Sequence, residues 1–205
     1  MAPKPLYVLF AGVNGAGKST LFRTGMWHYG KINSTLPRVN PDEIIAEKGW
    51  DWRSEADQIK AGKEAVRRIR SHFENHESFN QETTLTGRSI MRNIQQAHDE
   101  GYCIVMFYVC VNDPAIANDR IAHRGKSGGH LIDESVVKRR YDASLSNLAR
   151  AIELCDETYL YDNTVSLELE ARFEHNQLAY FCTSTRNPSW LTRTLESLGY
   201  FEIEF

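Results

Sequence analysis

The run Gly12-Val13-Asn14-Gly15-Ala16-Gly17-Lys18-Ser19 satisfies GxxxxGK[ST], the phosphate-binding P-loop. Its glycines let successive backbone N–H groups turn toward one phosphate chain. The helix expected to open at Gly17-Lys18 adds partial positive charge at its N-terminus. A lysine in this place reaches β- and γ-phosphates, and the following hydroxyl ligates Mg²⁺. ATP and Mg²⁺ are therefore the expected cofactors. The expected nucleotide set is Gly12, Asn14, Gly15, Ala16, Gly17, Lys18, Ser19 and Thr20, with Ser19 as the metal ligand.

Phosphoryl transfer also needs a base near the acceptor hydroxyl and cations around the moving group. Asp42, in Val39-Asn40-Pro41-Asp42-Glu43, follows an expected second strand. Ligands sit beyond the carboxyl ends of a parallel sheet, so Asp42 is the candidate base. An alternative role for Asp42 and Glu43 is to complement a helix dipole. Glu82, in Gln81-Glu82-Thr83-Thr84, ends the next strand and could take an acceptor hydroxyl or hold Mg²⁺ through water. Thr83 and Thr84 offer hydroxyls to a substrate or cap the following helix. Asp113 before Pro114 is a rival metal ligand but reads better as a helix N-cap.

Between 118 and 141, Arg120, Arg124, Lys126, Lys138, Arg139 and Arg140 outnumber Asp119, Asp133 and Glu134 by three charges. The chain as a whole carries a formal net charge of −3. A local cationic patch in an acidic protein suits an anionic ligand. Arg120 and Arg124 share one helix face beside the glycine-bearing loop that ends at His130. This arrangement fits a phosphate-gripping lid, with arginines offering bidentate contacts. Arg120 and His130 are candidate substrate contacts.

These residues need a scaffold in which strands and helices alternate. Tyr7 to Ala11 reads as a buried first strand, and the P-loop helix is expected to run toward Trp27. A short strand over Leu36 to Asn40 leads to a helix that Asn40 caps, Pro41 opens and Gly49 ends. Ile59, Val66, Ile69 and Phe73 give Ser54 to Glu77 a helical period and an expected inward face. A strand over Ser78 to Thr83, a helix over Arg88 to Glu100 and the apolar strand Tyr102 to Val111 follow. Asp113-Pro114 opens another helix, Asp133 to Leu154 is a long one, and Glu157 to Tyr161 is the last core strand. Beyond Thr164 the alternation of Val165, Leu167, Leu169, Ala171 and Phe173, a turn at His175-Asn176 and the run Leu178 to Cys182 predict an antiparallel hairpin. A last helix carries Trp190, Leu191, Leu195 and Leu198. The expected fold class is α/β: one P-loop kinase domain over 1–205. Its parallel sheet is covered by helices on both faces through about residue 164, with a small antiparallel C-terminal appendage over about 165–205.

Composition bounds the rest. The 205 residues are 41% hydrophobic and 25% charged, as in globular proteins. The negative balance gives no drive toward nucleic acid or acidic membranes, and no apolar run reaches the ~20 residues of a membrane span. Leu6 to Val13 is too short for a signal-peptide core and leads into the glycine loop. The four cysteines have no CxxC spacing, so reduced thiols, a cytoplasmic location and no zinc site are expected. A guanine-reading Asn-Lys-x-Asp is missing, Tyr161-Asp162-Asn163-Thr164 being no match, and the length suits a small-molecule or nucleotide kinase.

Taken in order, Gly12 to Thr20, Asn40-Pro41-Asp42-Glu43, Gln81 to Thr84, Arg120 to Arg124 with Gly128-Gly129-His130, and Arg139-Arg140-Tyr141 resemble the zeta-toxin family of P-loop kinases. The resemblance covers roughly residues 6–164. It implies ATP-dependent phosphorylation of a hydroxyl on UDP-N-acetylhexosamines such as UDP-N-acetylglucosamine. It further implies that Lys18 binds phosphate, that Asp42 is the general base, and that Glu82 and the adjacent threonines contact the acceptor sugar. Arg124 and Arg140 are then similar to the lid arginines that stabilise the transferring phosphoryl, with Arg120 and Arg139 as rivals for those places. An antitoxin protein partner is implied as well. The residues alone leave two other readings open. One is a kinase of another nucleoside, antibiotic or metabolite; the other is a nucleotide-dependent switch.

Overall fold

The computed structural model describes residues 3–27, 35–126, 133–183 and 188–201. Among them, seven strands form one sheet in the order β2-β3-β1-β4-β5-β6-β7. The first five are β1 (Leu6–Ala11), β2 (Arg38–Val39), β3 (Phe79–Thr83), β4 (Cys103–Cys110) and β5 (Glu157–Asp162). They pair in parallel, with β1 flanked by β3 and β4. Parallel strands need long crossovers, and helices supply them: α1 (Lys18–Thr24), α2 (Pro41–Lys48), α3 (Glu55–Glu74), α4 (Arg88–Asp99), α5 (Pro114–Lys126) and α6 (Glu134–Leu154). This is the expected α/β architecture. The second strand is two residues long rather than five, and α1 ends at Gly25 (φ 69°) before Trp27.

Strand β1 is central and apolar because both of its faces are covered. Its Phe10 stacks on Phe107 of β4 at 5.5 Å and meets Trp27 edge-on at 5.1 Å. Tyr7 is wholly buried beside Phe73 and Phe79. Asn40 and Asp113 cap helix starts as expected, and Asp133 adds a third cap. Asn40 Oδ1 accepts from Asp42 N at 3.0 Å, Asp113 Oδ1 from Ala115 N at 2.8 Å, and Asp133 Oδ1 from Ser135 N at 2.9 Å. Asp113 is thus engaged as a cap.

The buried face of α3 is Ala61, Ala65, Ile69 and Phe73. Ile59 and Val66, expected inside, are 53% and 55% exposed. The i, i+4 row through the two alanines packs instead, because small side chains let α3 lie close.

The appendage is antiparallel as expected. Strands β6 (Glu168–Glu174) and β7 (Gln177–Phe181) extend the sheet from β5. His175 (φ 47°) and Asn176 (φ 61°) form the tight turn between them, both in the left-handed region that a two-residue hairpin requires. Helix α7 (Ser189–Ser197) packs against α6, with Trp190 beside Tyr108 of β4 and its Nε1 donating to Asp162 Oδ1 at 2.9 Å. Among the described residues no helix is long and apolar enough to cross a membrane.

Candidate active site

The P-loop leaves the end of β1 between β3 and β4. Gly12 (φ 129°) and Gly17 (φ 113°) hold conformations that L side chains rarely adopt. A Cβ on Gly12 would come within 2.0 Å of the Val109 carbonyl oxygen, and one on Gly17 within 2.3 Å of Asn163 Nδ2. The loop is therefore pressed onto β4 on one side and onto the end of β5 on the other. Lys18 is buried, with Nζ 3.1 Å from the Val13 carbonyl.

Asn163 is a brace that the sequence reading missed. Its side-chain amide donates to Ala16 O at 2.7 Å, and its backbone N–H donates to Cys110 O at 2.8 Å. Thr164 and Asp162 on either side bond to each other and, through Trp190, to α7. The appendage thus steadies the strand end that supports the P-loop.

Lys18 and Asn14 share a cleft of about 350 Å³ with Asp42 and Glu82. Asp42 stands in the first turn of α2, fixed by the Asn40 cap. Glu82, the penultimate residue of β3, has its two oxygens differently engaged. Oε2 accepts from Arg38 Nη2 at 2.6 Å and Asn40 Nδ2 at 3.1 Å, while Oε1 lies 3.4 Å from Ser19 Oγ. Arg38 was not singled out in the sequence. It lies with its guanidinium 3.7 Å from the Phe22 ring centre and also binds Glu43 and Asn80. Its position on β2, beside β3, aims it at Glu82.

The floor beyond Glu82 is strained. Leu85 is fully buried at φ 55°, an outlier for a bulky residue. Two bonds hold it: Leu85 N donates to Thr83 Oγ1 at 3.1 Å, and Asn147 Nδ2 donates to Leu85 O at 2.9 Å. The Thr83 hydroxyl therefore shapes the turn, and Thr84 Oγ1 pairs with Thr86 Oγ1 at 2.7 Å. Both threonines line the cleft.

One face of α6 ties these parts together. Arg140 Nη1 donates to Asn14 Oδ1 at 2.9 Å, Ser144 Oγ pairs with Tyr108 at 3.0 Å, and Asn147 reaches Leu85. Tyr141 beside Arg140 is buried and donates to Val111 O at 2.8 Å, which fixes the helix register. Of the adjacent arginines, Arg140 therefore meets the P-loop, and Arg139 is exposed. Arg120 does not join the cleft. Helix α5 follows β4 on the far side of β1 from β3, and Arg120 Nη2 donates to the Thr164 carbonyl at 3.2 Å. The Arg124 side chain and His130 lie outside the described residues. Ser19 and Thr20 are exposed at the start of α1.

Thiol chemistry has no support here. All four cysteines are free, and burial pushes the Cys110 and Cys155 thiols each up to about 12. Among the described residues no group of three or more His, Cys, Asp or Glu side chains could hold a metal alone.

No family model matches the chain. Solved structures share its fold at low identity. The chain aligns with the AvrRxo1-ORF1:-ORF2 structure with ATP at a TM-score of 0.63 and 16% identity, covering 87% of this chain and 61% of that one. It aligns with a structure of the PezAT chromosomal toxin-antitoxin system of Streptococcus pneumoniae at 0.55 and 15%, covering 98% and 80%. It aligns with the Pnkp1/Rnl/Hen1 RNA repair complex at 0.55 and 16%, covering 73% of this chain and 47% of that one. The chain thus spans less than two thirds of its match in the RNA repair complex and in the ATP-bearing complex. An uncharacterized protein of Haemophilus influenzae is 32% identical over 134 residues, which is 65% of this chain and 91% of that protein. The chain belongs to the same family as this Haemophilus influenzae protein.

Proposed function

We propose that the protein transfers the γ-phosphoryl group of ATP to a hydroxyl of a small molecule. The observation that carries this reading is the single cleft lined by Lys18, Asp42 and Glu82. The residues suit the implied ligands. Gly12 and Gly17 hold positive φ with no room for a Cβ against Val109 and Asn163, which keeps the loop in the turned-in backbone form that fits a phosphate chain. The Ser19 hydroxyl and the Glu82 carboxylate, 3.4 Å apart, are hard oxygen donors. Such a pair fits Mg²⁺, which takes one or two protein oxygens beside phosphate and water. Bound Mg·ATP supplies the phosphoryl group and offsets its charge.

The chain's own residues do the rest. Lys18 binds and orients phosphate oxygens. Asp42 accepts the proton of the acceptor hydroxyl. Glu82, clamped by Arg38 and Asn40, positions the Ser19 hydroxyl and, with Thr83 and Thr84, faces the acceptor. Arg140, bonded to Asn14 of the P-loop, neutralises charge that develops during transfer, together with Arg124.

UDP-N-acetylglucosamine is the acceptor proposed, on the zeta-toxin resemblance of the motifs. The likeness to PezAT, a toxin-antitoxin system, and to the two-component AvrRxo1-ORF1:-ORF2 complex supports a small inhibitory protein as partner. A cytoplasmic location is proposed on the four free cysteines. Mass spectrometry of a reaction with Mg·ATP and UDP-N-acetylglucosamine tests the proposal. The expected product carries one added phosphate with wild type and none with Asp42→Ala. ADP release with the sugar nucleotide unmodified would count against this acceptor.

A further inference from the structure

Leu85 combines full burial with a φ of 55°, where bulky residues are strongly disfavoured and glycine is the usual occupant. A leucine persists there only where its neighbours over-determine the backbone, and such places cluster at functional sites. The turn at Leu85 serves the cleft. Its side chain is anchored in the core, while Thr83, Thr84 and Thr86 on either side of it line the cleft. Thr84 Oγ1 and Thr86 Oγ1 meet across the turn at 2.7 Å.

Of the two bonds that hold this turn, one is local and one is not. Thr83 Oγ1 takes the Leu85 N–H, whereas the Asn147 amide reaches Leu85 O from α6, 62 positions along the chain. Asn147 stands two turns after Arg140 and one after Ser144. That spacing keeps all three on one helix face. Arg140 meets Asn14 of the P-loop, and Ser144 and Tyr141 fasten the helix to Tyr108 and Val111. At ~1.5 Å of rise per residue, the P-loop contact and the floor contact lie ~10 Å apart along α6.

We propose that Asn147 is a positioning residue: it acts through Leu85 to aim the threonines of the cleft floor, and with Arg140 it makes α6 a spacer between the P-loop and that floor. The acceptor role of the floor rests on the phosphotransferase reading. Transfer requires the acceptor oxygen at a near-attack distance from the phosphoryl group, so a displaced floor slows it even with every contacting residue intact. Without the Asn147 amide the strained turn keeps its local bond alone and relaxes, separating Thr84 from Thr86. The nucleotide end is unaffected, because Arg140, Tyr141 and Ser144 keep their partners.

The test compares wild type with Asn147→Leu, which loses the donor at similar volume, and Asn147→Gln, which keeps an amide donor on a longer stem. Steady-state kinetics on the full chain vary Mg·ATP and UDP-N-acetylglucosamine in turn. Hydrogen exchange over residues 83–87 without ligand, and Tm, are recorded alongside. Asn147→Leu is expected to raise acceptor KM about fivefold or more, to lower kcat and to speed exchange over 83–87, with ATP KM within about twofold of wild type. Asn147→Gln should fall between the two, and the same KM split in that variant decides if Asn147→Leu does not fold. Equal rises in both KM values, or an unchanged acceptor KM, would overturn the proposal. The two readings fail differently. Wild-type kinetics in Asn147→Leu leave the kinase and remove the positioning role. If wild type transfers nothing to this acceptor, the kinase reading with it fails; faster exchange over 83–87 in Asn147→Leu then supports the Asn147 clamp, and unchanged exchange overturns it.

Discussion

Arg38 holds Glu82 against the P-loop: a 2.6 Å ion pair fixes one carboxylate oxygen and leaves the other 3.4 Å from the Ser19 hydroxyl. Both side chains are nearly buried, at 10% and 12% exposure. Removing one partner strands the other charge in a poor solvent. Arg38→Ala is therefore expected to lower unfolding free energy by about 3 kcal/mol in urea titrations. Glu82→Gln keeps the shape and loses the charge. It should raise the Mg²⁺ concentration needed for half-maximal ADP release, and an unaltered Mg²⁺ dependence would separate Glu82 from the metal.

Asn163 braces Ala16 at 2.7 Å from outside the P-loop. Asn163→Ala removes one part-buried hydrogen bond, typically worth about 1 kcal/mol. If that order is expressed in nucleotide binding, KM for ATP rises roughly fivefold. The acceptor KM should stay unchanged, which steady-state kinetics with each substrate varied in turn will show.

Two glycines make opposite predictions. Gly12→Ala would drive a Cβ to 2.0 Å from the Val109 carbonyl oxygen at a φ of 129°. It is expected to abolish ATP binding and to cost more than about 2 kcal/mol of stability. Gly62→Ala meets open space within a helix and should stabilise by about 0.5–1 kcal/mol. Thermal unfolding of the two variants checks both signs.

Glu170 supplies a pH dependence outside the cleft. The register between β5 and β6 shifts at Leu160/Tyr161, so Leu160 pairs with Ala171 and Tyr161 with Leu169. Glu170 is left as the extra residue of a bulge and turns inward, 3% exposed, with Oε2 unpartnered. Burial, then the nearby Asp162 and Glu168 carboxylates, push its carboxyl up from 4.5 to about 7. The folded state thus holds this proton more tightly than the unfolded chain. Stability from this group is full below about pH 4.5 and is lost as pH rises through about 7. Glu170→Gln, which stays neutral, should raise Tm relative to wild type at about pH 8 and give no gain at about pH 4. An equal gain at both would refute the raised carboxyl.

Much of this was legible in the chain because local signals and chemistry coincide. The P-loop follows an apolar strand, Asn40-Pro41 and Asp113-Pro114 announce helix starts, and His175-Asn176 announces the hairpin turn. The inward face of α3 was only half legible: Ile69 and Phe73 are buried as expected, and Ile59 and Val66 are not. Two apolar rows overlap along it, and the alanine row that packs is a weaker hydrophobic signal than Ile59 and Val66. Arg38, Asn163 and Asn147 also escaped notice, because each acts across the sheet or between helices on a partner at least 42 positions away. Strand order, not local pattern, brings Arg38 to Glu82 and turns Arg120 toward Thr164 instead of the cleft.

The most direct test of the central claim measures ATP binding and phosphoryl transfer side by side in wild type and Asp42→Asn. The proposed base predicts ATP affinity within about twofold of wild type and transfer to UDP-N-acetylglucosamine slowed by at least about a hundredfold. Transfer at the wild-type rate in Asp42→Asn would contradict it.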